Sequence, residues 1–346
     1  MALIVQKYGG TSVGTPQRIK NVALRVAKWQ RGGHRVVVIV SAMAGETNRL
    51  FSLISDITEK HVDSEIDVIA ATGEQVTIGL LSLALKQLGV QARSFTGWQI
   101  PVKTDGKYTK ARIVNIAAEK ILQETSNNVI PVIAGFQGID DLDKLNTLGR
   151  GGSDTSAVAI AAAIGADECQ IFTDVDGVYT TDPRVVKSAR LLNKITFEEM
   201  LEMASLGSKV LQLRSVEFAG RYRVKLRVLS SLTEPNCTLK DEAKSGTLIT
   251  YEEDINMEKA EVSGIAFTKD EAKVTIIGVP DKPGAAFKIL EPVASANIEV
   301  DVIVQNVGRD GTTDFSFTVP RKDLKKTIDT LQDVSKEIGA RDVIGD

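Results

Sequence analysis

Arg35-Val36-Val37-Val38-Ile39-Val40-Ser41-Ala42-Met43-Ala44-Gly45-Glu46-Thr47-Asn48 is the stretch from which the fold is read. A continuous β-branched run marks a strand covered on both faces, and here it ends in a small polar loop that feeds a helix. The same order precedes it: residues 2–7 form an apolar run ending in Lys7-Tyr8-Gly9-Gly10-Thr11-Ser12, with a helix following through Trp29. It recurs at residues 129–134, before Gly135-Phe136-Gln137-Gly138, and at residues 168–172, before Thr173-Asp174-Val175-Asp176-Gly177. Strands alternating with helices predict a mostly parallel sheet sandwiched by helices, with ligands bound beyond the carboxyl ends of the strands. The loops just named are expected to converge.

Another glycine-rich segment lies further along, Asn146-Thr147-Leu148-Gly149-Arg150-Gly151-Gly152-Ser153-Asp154-Thr155-Ser156-Ala157, and it opens into a run of small residues to Gly165. A helix reached through such a turn presents unpaired N–H groups and positive dipole, which favour a phosphate or carboxylate. Arg150 and Asp154 look buried among the glycines, and Arg150 offers a fork that fits a carboxylate. The segment is not a Walker A loop, because the Lys-Ser/Thr ending is missing. Asp154 reads equally as a helix cap. Residues 72–89 predict a helix with Glu74 near its start, either an exposed first-turn acid or a ligand.

With 346 residues, 43% of them apolar and 25% charged, the chain has an ordinary globular balance and room for about two domains. A net charge of −3 argues against a nucleic-acid or anionic-membrane partner. The N-terminal apolar run is broken by Lys7, and no stretch approaches the ~20 apolar residues of a membrane span, so a cytoplasmic protein is expected. Cys169 and Cys237 cannot build a disulfide framework, and with His34 and His61 they suggest no metal cluster.

Residues 224–230 and 248–251 read as strands, with a polar loop at residues 233–245 between them, and the first domain is assigned residues 1–252. From residue 260 the texture changes. Strands at 271–279, 299–305 and 313–319, helices at 283–296 and 321–339, and a final strand at 341–344 give the ferredoxin-like order βαββαβ. Asp281 before Pro283 predicts the cap of the first of these helices, whose start could bind a small zwitterion.

The blocks Lys7-Tyr8-Gly9-Gly10-Thr11-Ser12-Val13, Val40-Ser41-Ala42-Met43, Ala71-Thr72-Gly73-Glu74, Thr147 through Asp154, Thr173 through Arg184 and Gly207-Ser208-Lys209-Val210-Leu211 stand in one register over residues 1 to 250. Together they resemble the aspartokinases, and residues 260–346 resemble the ACT regulatory domains of that family. The resemblance implies an α/β fold, the amino acid kinase αβα sandwich with a ferredoxin-like ACT domain. Relatives carry two ACT domains; here the second is missing or incomplete, and the loop at 233–245 is longer than usual, which bears on nucleotide affinity if it reaches the cleft.

The activity implied is ATP-dependent phosphorylation of the side-chain carboxylate of L-aspartate to 4-phospho-L-aspartate, the first step towards lysine, threonine and methionine. Phosphoryl transfer needs mainly positive groups and N–H donors around the moving group. By resemblance, Lys7 and Lys209 neutralise the transferring and leaving oxygens while Asp154 holds the lysines. Gly9, Gly10, Ser41, Gly151 and Gly152 line the phosphates. Arg150 grips the α-carboxylate of aspartate, Glu74 its ammonium, and Thr47 and Ser153 help place it. Thr173, Asp174, Tyr179 and Arg184 seat ATP, although Tyr179 reads also as packing and Arg184 as the partner of Asp182. Mg²⁺ is expected on the phosphates, since no dedicated cage is offered. Lysine or threonine is expected as effector at Asp281, Gly284, Ala285 and Ala286, with Gln305 and Asn306, in a homo-oligomer formed through the ACT half. The alternatives are a related kinase with another acceptor and a regulatory ACT-bearing subunit.

Overall fold

The structure, a computed structural model, describes residues 1–59, 62–208, 210–254, 262–296, 298–307 and 311–346. They divide into two compact units, Met1–Ala266 and Phe267–Asp346. Residues 263–265 pack within the first unit: Ser263 bonds Glu199, and the Ile265 N–H donates to the Thr180 carbonyl at 2.7 Å.

The first unit opens with β1 (Leu3–Tyr8), α1 (Pro16–Arg31), β2 (Arg35–Val40), α2 (Glu46–Ser55), α3 (Ser64–Ala70) and α4 (Thr72–Gln87). It continues with β3 (Ala92–Phe95), β4 (Val102–Thr104), β5 (Ile113–Ile116), α5 (Glu119–Ser126), β6 (Ile130–Ala134), β7 (Gln137–Ile139) and β8 (Leu145–Thr147). The last stretch holds α6 (Gly152–Ala163), β9 (Glu168–Thr173), β10 (Lys194–Thr196), α7 (Phe197–Ser205), α8 (Leu213–Arg221), β11 (Leu226–Ser230), α9 (Leu239–Lys244) and β12 (Thr247–Thr250).

An eight-stranded sheet runs in the order β10-β12-β11-β9-β1-β2-β6-β3, parallel except between β11 and β12. The apolar runs fold as expected because each strand feeds two cores. Leu3, Val5, Val37, Ile39 and Ile171 join Ala157, Ile160 and Val216 on one face, while Ile4, Tyr8, Val36, Val38 and Phe172 join Val22, Val26, Leu81 and Leu85 on the other. Successive side chains of a strand point to opposite faces, so Lys7 falls on the face of Leu3 and Val5, beneath α6. β1 has β2 on one side and β9 on the other, a switch in strand order of the kind that opens a crevice at the carboxyl ends.

Four features differ from the sequence reading. A second sheet, β5-β4-β7-β8, is built from strands of three or four residues, too short to leave a periodic signal. The polar loop at 233–245 contains α9, capped by Thr238 and anchored on α1, where Arg25 and Lys28 both pair with the buried Glu242. The long insertion is therefore stapled to the face of α1. Finally, Ser64–Gln87 spans 24 residues and its most apolar 18-residue window has a mean hydropathy of 1.6, long and apolar enough by length and composition to cross a membrane, where no such stretch was expected. Half of its most apolar window is buried, with α4 packed on α1 and β6, as in the core helix of a globular unit.

The second unit contains β13 (Glu271–Pro280), α10 (Ala285–Ser295), β14 (Ile303–Val307), β15 (Thr312–Pro320), α11 (Leu324–Ile338) and β16 (Asp342–Gly345). Its antiparallel sheet, ordered β14-β15-β13-β16, is the βαββαβ arrangement anticipated, covered by Ile289, Val293 and Leu331. The fourth difference is the start of α10. Its cap is Gly284 in the left-handed region (φ 88°), and Asp281 and Pro283 lie before the helix. A left-handed turn at Gly284 sends the chain into the helix without a side-chain cap.

Candidate active site

At the carboxyl end of β1, the Lys7 ammonium meets Asp154 Oδ1 at 2.6 Å, with both side chains nearly enclosed. Asp154 is not the cap considered above. Gly151, left-handed at φ 69°, caps α6, and Asp154 stands in its first turn, where the helix dipole favours its charge. Nearly all of α6 is buried, which holds Asp154 at a fixed height above the strand.

The loops after the parallel strands converge. Gly9 N–H donates to the Phe172 carbonyl at 3.2 Å, Ser41 N–H to Tyr8 at 3.1 Å, Ala44 N–H to Gly10 at 3.1 Å and Gly135 N–H to Val40 at 3.0 Å. Gly152 N–H is also engaged, with the Gly149 carbonyl at 2.9 Å. Among the described residues, the N–H groups of Gly10 and Gly151 take no such bond and remain as donors.

Glu74, an exposed helix-start acid on one reading, is 2% exposed. Its Oε1 accepts from the Ala42 N–H at 3.0 Å, and its buried Oε2 has no partner among the described residues. Burial pushes its carboxyl up to about 7, against a smaller opposing pull from the Ala42 N–H. The approach is so close because residue 73 is glycine: a Cβ there would stand 2.7 Å from that of Ala42. Ser153 is buried against Gly135. Thr47 is half-buried in the first turn of α2. Arg150, expected to be buried, is exposed, and no hydrogen bond or ion pair engages its side chain among the described residues.

Beyond β9, Thr173 Oγ1 donates to Asp174 at 3.2 Å and the Tyr179 hydroxyl to Asp176 at 3.3 Å. Arg184 forks onto Asp182 at 3.0 and 2.9 Å, so its guanidinium is engaged in a turn. Lys209 lies outside the described residues. In the second unit Asp281, Gly284 and Ala286 are exposed at the start of α10, with Ala285 half-buried, and Gln305 and Asn306 are exposed on β14.

Two residues that the sequence reading passed over shape the site. Asp67, wholly buried in α3, accepts from Thr109 and Thr147. Arg214 on α8 donates to the carbonyls of Leu148 at 2.9 Å and Ala111 at 3.0 Å. For Asp67 a local signal was present, an acid set among the apolar residues of Ile66-Asp67-Val68-Ile69-Ala70. Arg214 leaves none, since its partners are backbone atoms far away in sequence.

Residues 2–230 match the amino acid kinase family and residues 273–336 the ACT domain. "Aspartate kinase Ask_LysC" of Stutzerimonas stutzeri is 59% identical over 346 residues, all of this chain and 82% of that protein. The aspartate kinase crystal structure from Synechocystis is 38% identical with a TM-score of 0.62, covering 100% of this chain and 58% of that one. E. coli aspartokinase III in complex with lysine and aspartate is 25% identical with a TM-score of 0.75, covering 99% and 85% of the two chains.

Proposed function

The chain belongs to the amino acid kinase family as an aspartokinase, and we propose that its Lys7–Asp154 pair and Glu74 serve ATP-dependent phosphorylation of the side-chain carboxylate of L-aspartate to 4-phospho-L-aspartate. ATP use follows from the kinase family; the division of labour below is our reading. Lys7, fixed by Asp154, neutralises charge on the transferring phosphoryl without having to be reorganised at the moment of reaction. Gly10 and Gly151 supply free N–H groups to the phosphates; Gly9, Ser41 and Gly152, whose N–H groups are engaged, contribute shape. Thr173, Asp174 and Tyr179 seat the nucleotide, and Arg184 joins them only by exchanging Asp182 for phosphate. Lys209 is assigned the leaving oxygens on its motif alone.

The observation that carries the acceptor assignment is the unpaired Oε2 of Glu74. A buried carboxylate oxygen without a donor is costly, and a substrate ammonium supplies one. An acetylated amine would offer it a single neutral N–H and no countercharge. Arg150, exposed and unengaged, is placed on the α-carboxylate, with Thr47 and Ser153 beside the acceptor. Among the described residues no three His, Cys, Asp or Glu side chains are grouped to hold a metal ion. We therefore put Mg²⁺ on the ATP phosphates and route no step through the protein's own ligands.

Commitment of the product to lysine, threonine and methionine synthesis in the cytoplasm, and feedback by lysine or threonine through Asp281, Gly284, Ala285, Ala286, Gln305 and Asn306, extend the reading. E. coli aspartokinase III, which was crystallised with lysine and aspartate, supports it by similarity. The edge strand β14 leaves Ile303 and Val304 half exposed, a surface on which a second copy can pair. Hydroxamate trapping of the acyl phosphate, with aspartate compared against glutamate and acetylglutamate, tests the activity. Turnover of acetylglutamate at a rate equal to aspartate would sink the acceptor assignment.

A further inference from the structure

Asp67 is 0% exposed, and no ion pair offsets its charge among the described residues. Its partners are neutral donors. The Thr109 N–H lies 3.0 Å from both carboxylate oxygens, the Thr147 N–H 3.0 Å from Oδ2, and the Thr147 hydroxyl 2.6 Å from Oδ1. Thr109 is held at φ 62°, a left-handed conformation unfavourable for a β-branched residue. A buried acceptor on its N–H keeps it there.

The two threonines flank the loop that carries Arg150. The Ala111 N–H donates to the Thr147 carbonyl at 2.9 Å, which joins the Thr109 turn to the end of β8. The Thr109 carbonyl oxygen would stand 3.1 Å from a Cβ on Gly149, which is itself left-handed at φ 74°. The turn thus packs on the bare backbone of Gly149, and Arg150 is the next residue. On its other side, α3 reaches Ala71, whose carbonyl accepts from Gln137 Nε2 at 3.1 Å, and Glu74 follows in the first turn of α4.

We propose that Asp67 is a positioning residue for the acceptor amino acid: by tying α3 to Thr109 and Thr147, it sets the separation between Glu74 and Arg150. The inference rests on the assignment of those two charges to the substrate ammonium and α-carboxylate. A zwitterion of fixed length senses their spacing, whereas ATP does not. A shift of about 1 Å in such a constellation costs up to ~10² in rate.

The test is steady-state kinetics with aspartate and ATP varied separately. Asp67→Ala strands two buried N–H groups, and we expect KM for aspartate to rise about tenfold or more while KM for ATP stays within about twofold. The preference for aspartate over glutamate should fall with it. Asp67→Asn should retain more function than Ala, because the amide oxygen serves both N–H groups while the Thr147 hydroxyl turns to accept from the NH₂. Thr147→Val, which deletes only the 2.6 Å contact, should move KM for aspartate the same way, and Thr147→Ser should restore it. If Asp67→Ala does not fold, the Val and Ser pair decides. An unchanged KM for aspartate in Thr147→Val, or equal losses for both substrates, overturns the proposal. Glu74→Gln run in parallel separates the two ideas. If it raises KM for aspartate and the Asp67 and Thr147 variants do not, positioning alone fails; if it does not, the acceptor assignment fails and takes the inference with it.

Discussion

Lys7 meets its countercharge at 2.6 Å before any substrate is present, whereas Glu74, across the same cluster of loops, keeps a buried oxygen unpaired and Arg150 stands open to solvent. The difference follows from what each side must do. A group that meets developing charge works best when its orientation is already fixed, because nothing then reorganises in the transition state. A group that selects a zwitterion works best with its own partner missing, because only the right substrate relieves the buried charge. On the proposed reading, the Lys7–Asp154 pair is preformed and Glu74 awaits its substrate.

The largest effect should come from breaking the preformed pair. Lys7→Ala removes a fixed donor, and kcat should fall about 10²–10³ with KM for ATP little changed and circular dichroism native. A variant keeping more than about a tenth of kcat would place Lys7 outside the reaction. Next, Glu74→Gln should raise the aspartate dissociation constant about 30-fold, corresponding to ~2 kcal/mol for a buried charge pair that loses one member. Calorimetry with ATP alone should register almost nothing; a comparable loss there would put Glu74 on the nucleotide side.

The waiting carboxylate also makes acceptor binding depend on pH. Because burial raises the Glu74 carboxyl to about 7, the free enzyme holds it largely protonated below that pH. Binding of an ammonium demands the ionised form, so aspartate affinity should climb by up to about tenfold per pH unit below 7 and level off above, with proton release on binding. The same shift acts on stability with the opposite sense. A carboxyl whose folded pKa exceeds its unfolded one loses stabilisation as pH rises from the ordinary carboxylate range to about 7. Glu74→Gln should flatten both profiles. A persistent slope in the variant would assign the titration to another group.

The smallest effect concerns Arg184. Its pair with Asp182 is exposed and therefore weak, so Asp182→Asn should lower KM for ATP by no more than about fivefold. If KM for ATP rises instead, the pair is structural and Arg184 does not reach phosphate.

Much of this was legible in the chain itself. The β-branched run at residues 36–40 announced a strand buried on both faces, because only a doubly covered strand can be apolar at every position, and the apolar runs at residues 3–5 and 130–134 gave two more. The glycine loops after them marked where ligands gather. Six motif blocks in one register pointed to the family. Exposure was read poorly: Glu74 could not be assigned to either environment, and Arg150 was expected inside and is outside. Local spacing says which residues share a face of one element, but not how deeply a neighbouring loop covers it.

What the sequence determined by itself is therefore whatever is decided within a few residues: strand or helix, turn or cap, and the chemical inventory of each loop. Tertiary structure alone decided the pairings across long separations. Lys7 finds Asp154 because the period of β1 turns it towards α6, Asp67 finds Thr147 because β8 returns beside α3, and Arg25 finds Glu242 because α9 folds back onto α1. Each contact depends on sheet order and register, quantities that the whole chain settles together when it packs two cores against one sheet, and that no window of neighbouring residues contains.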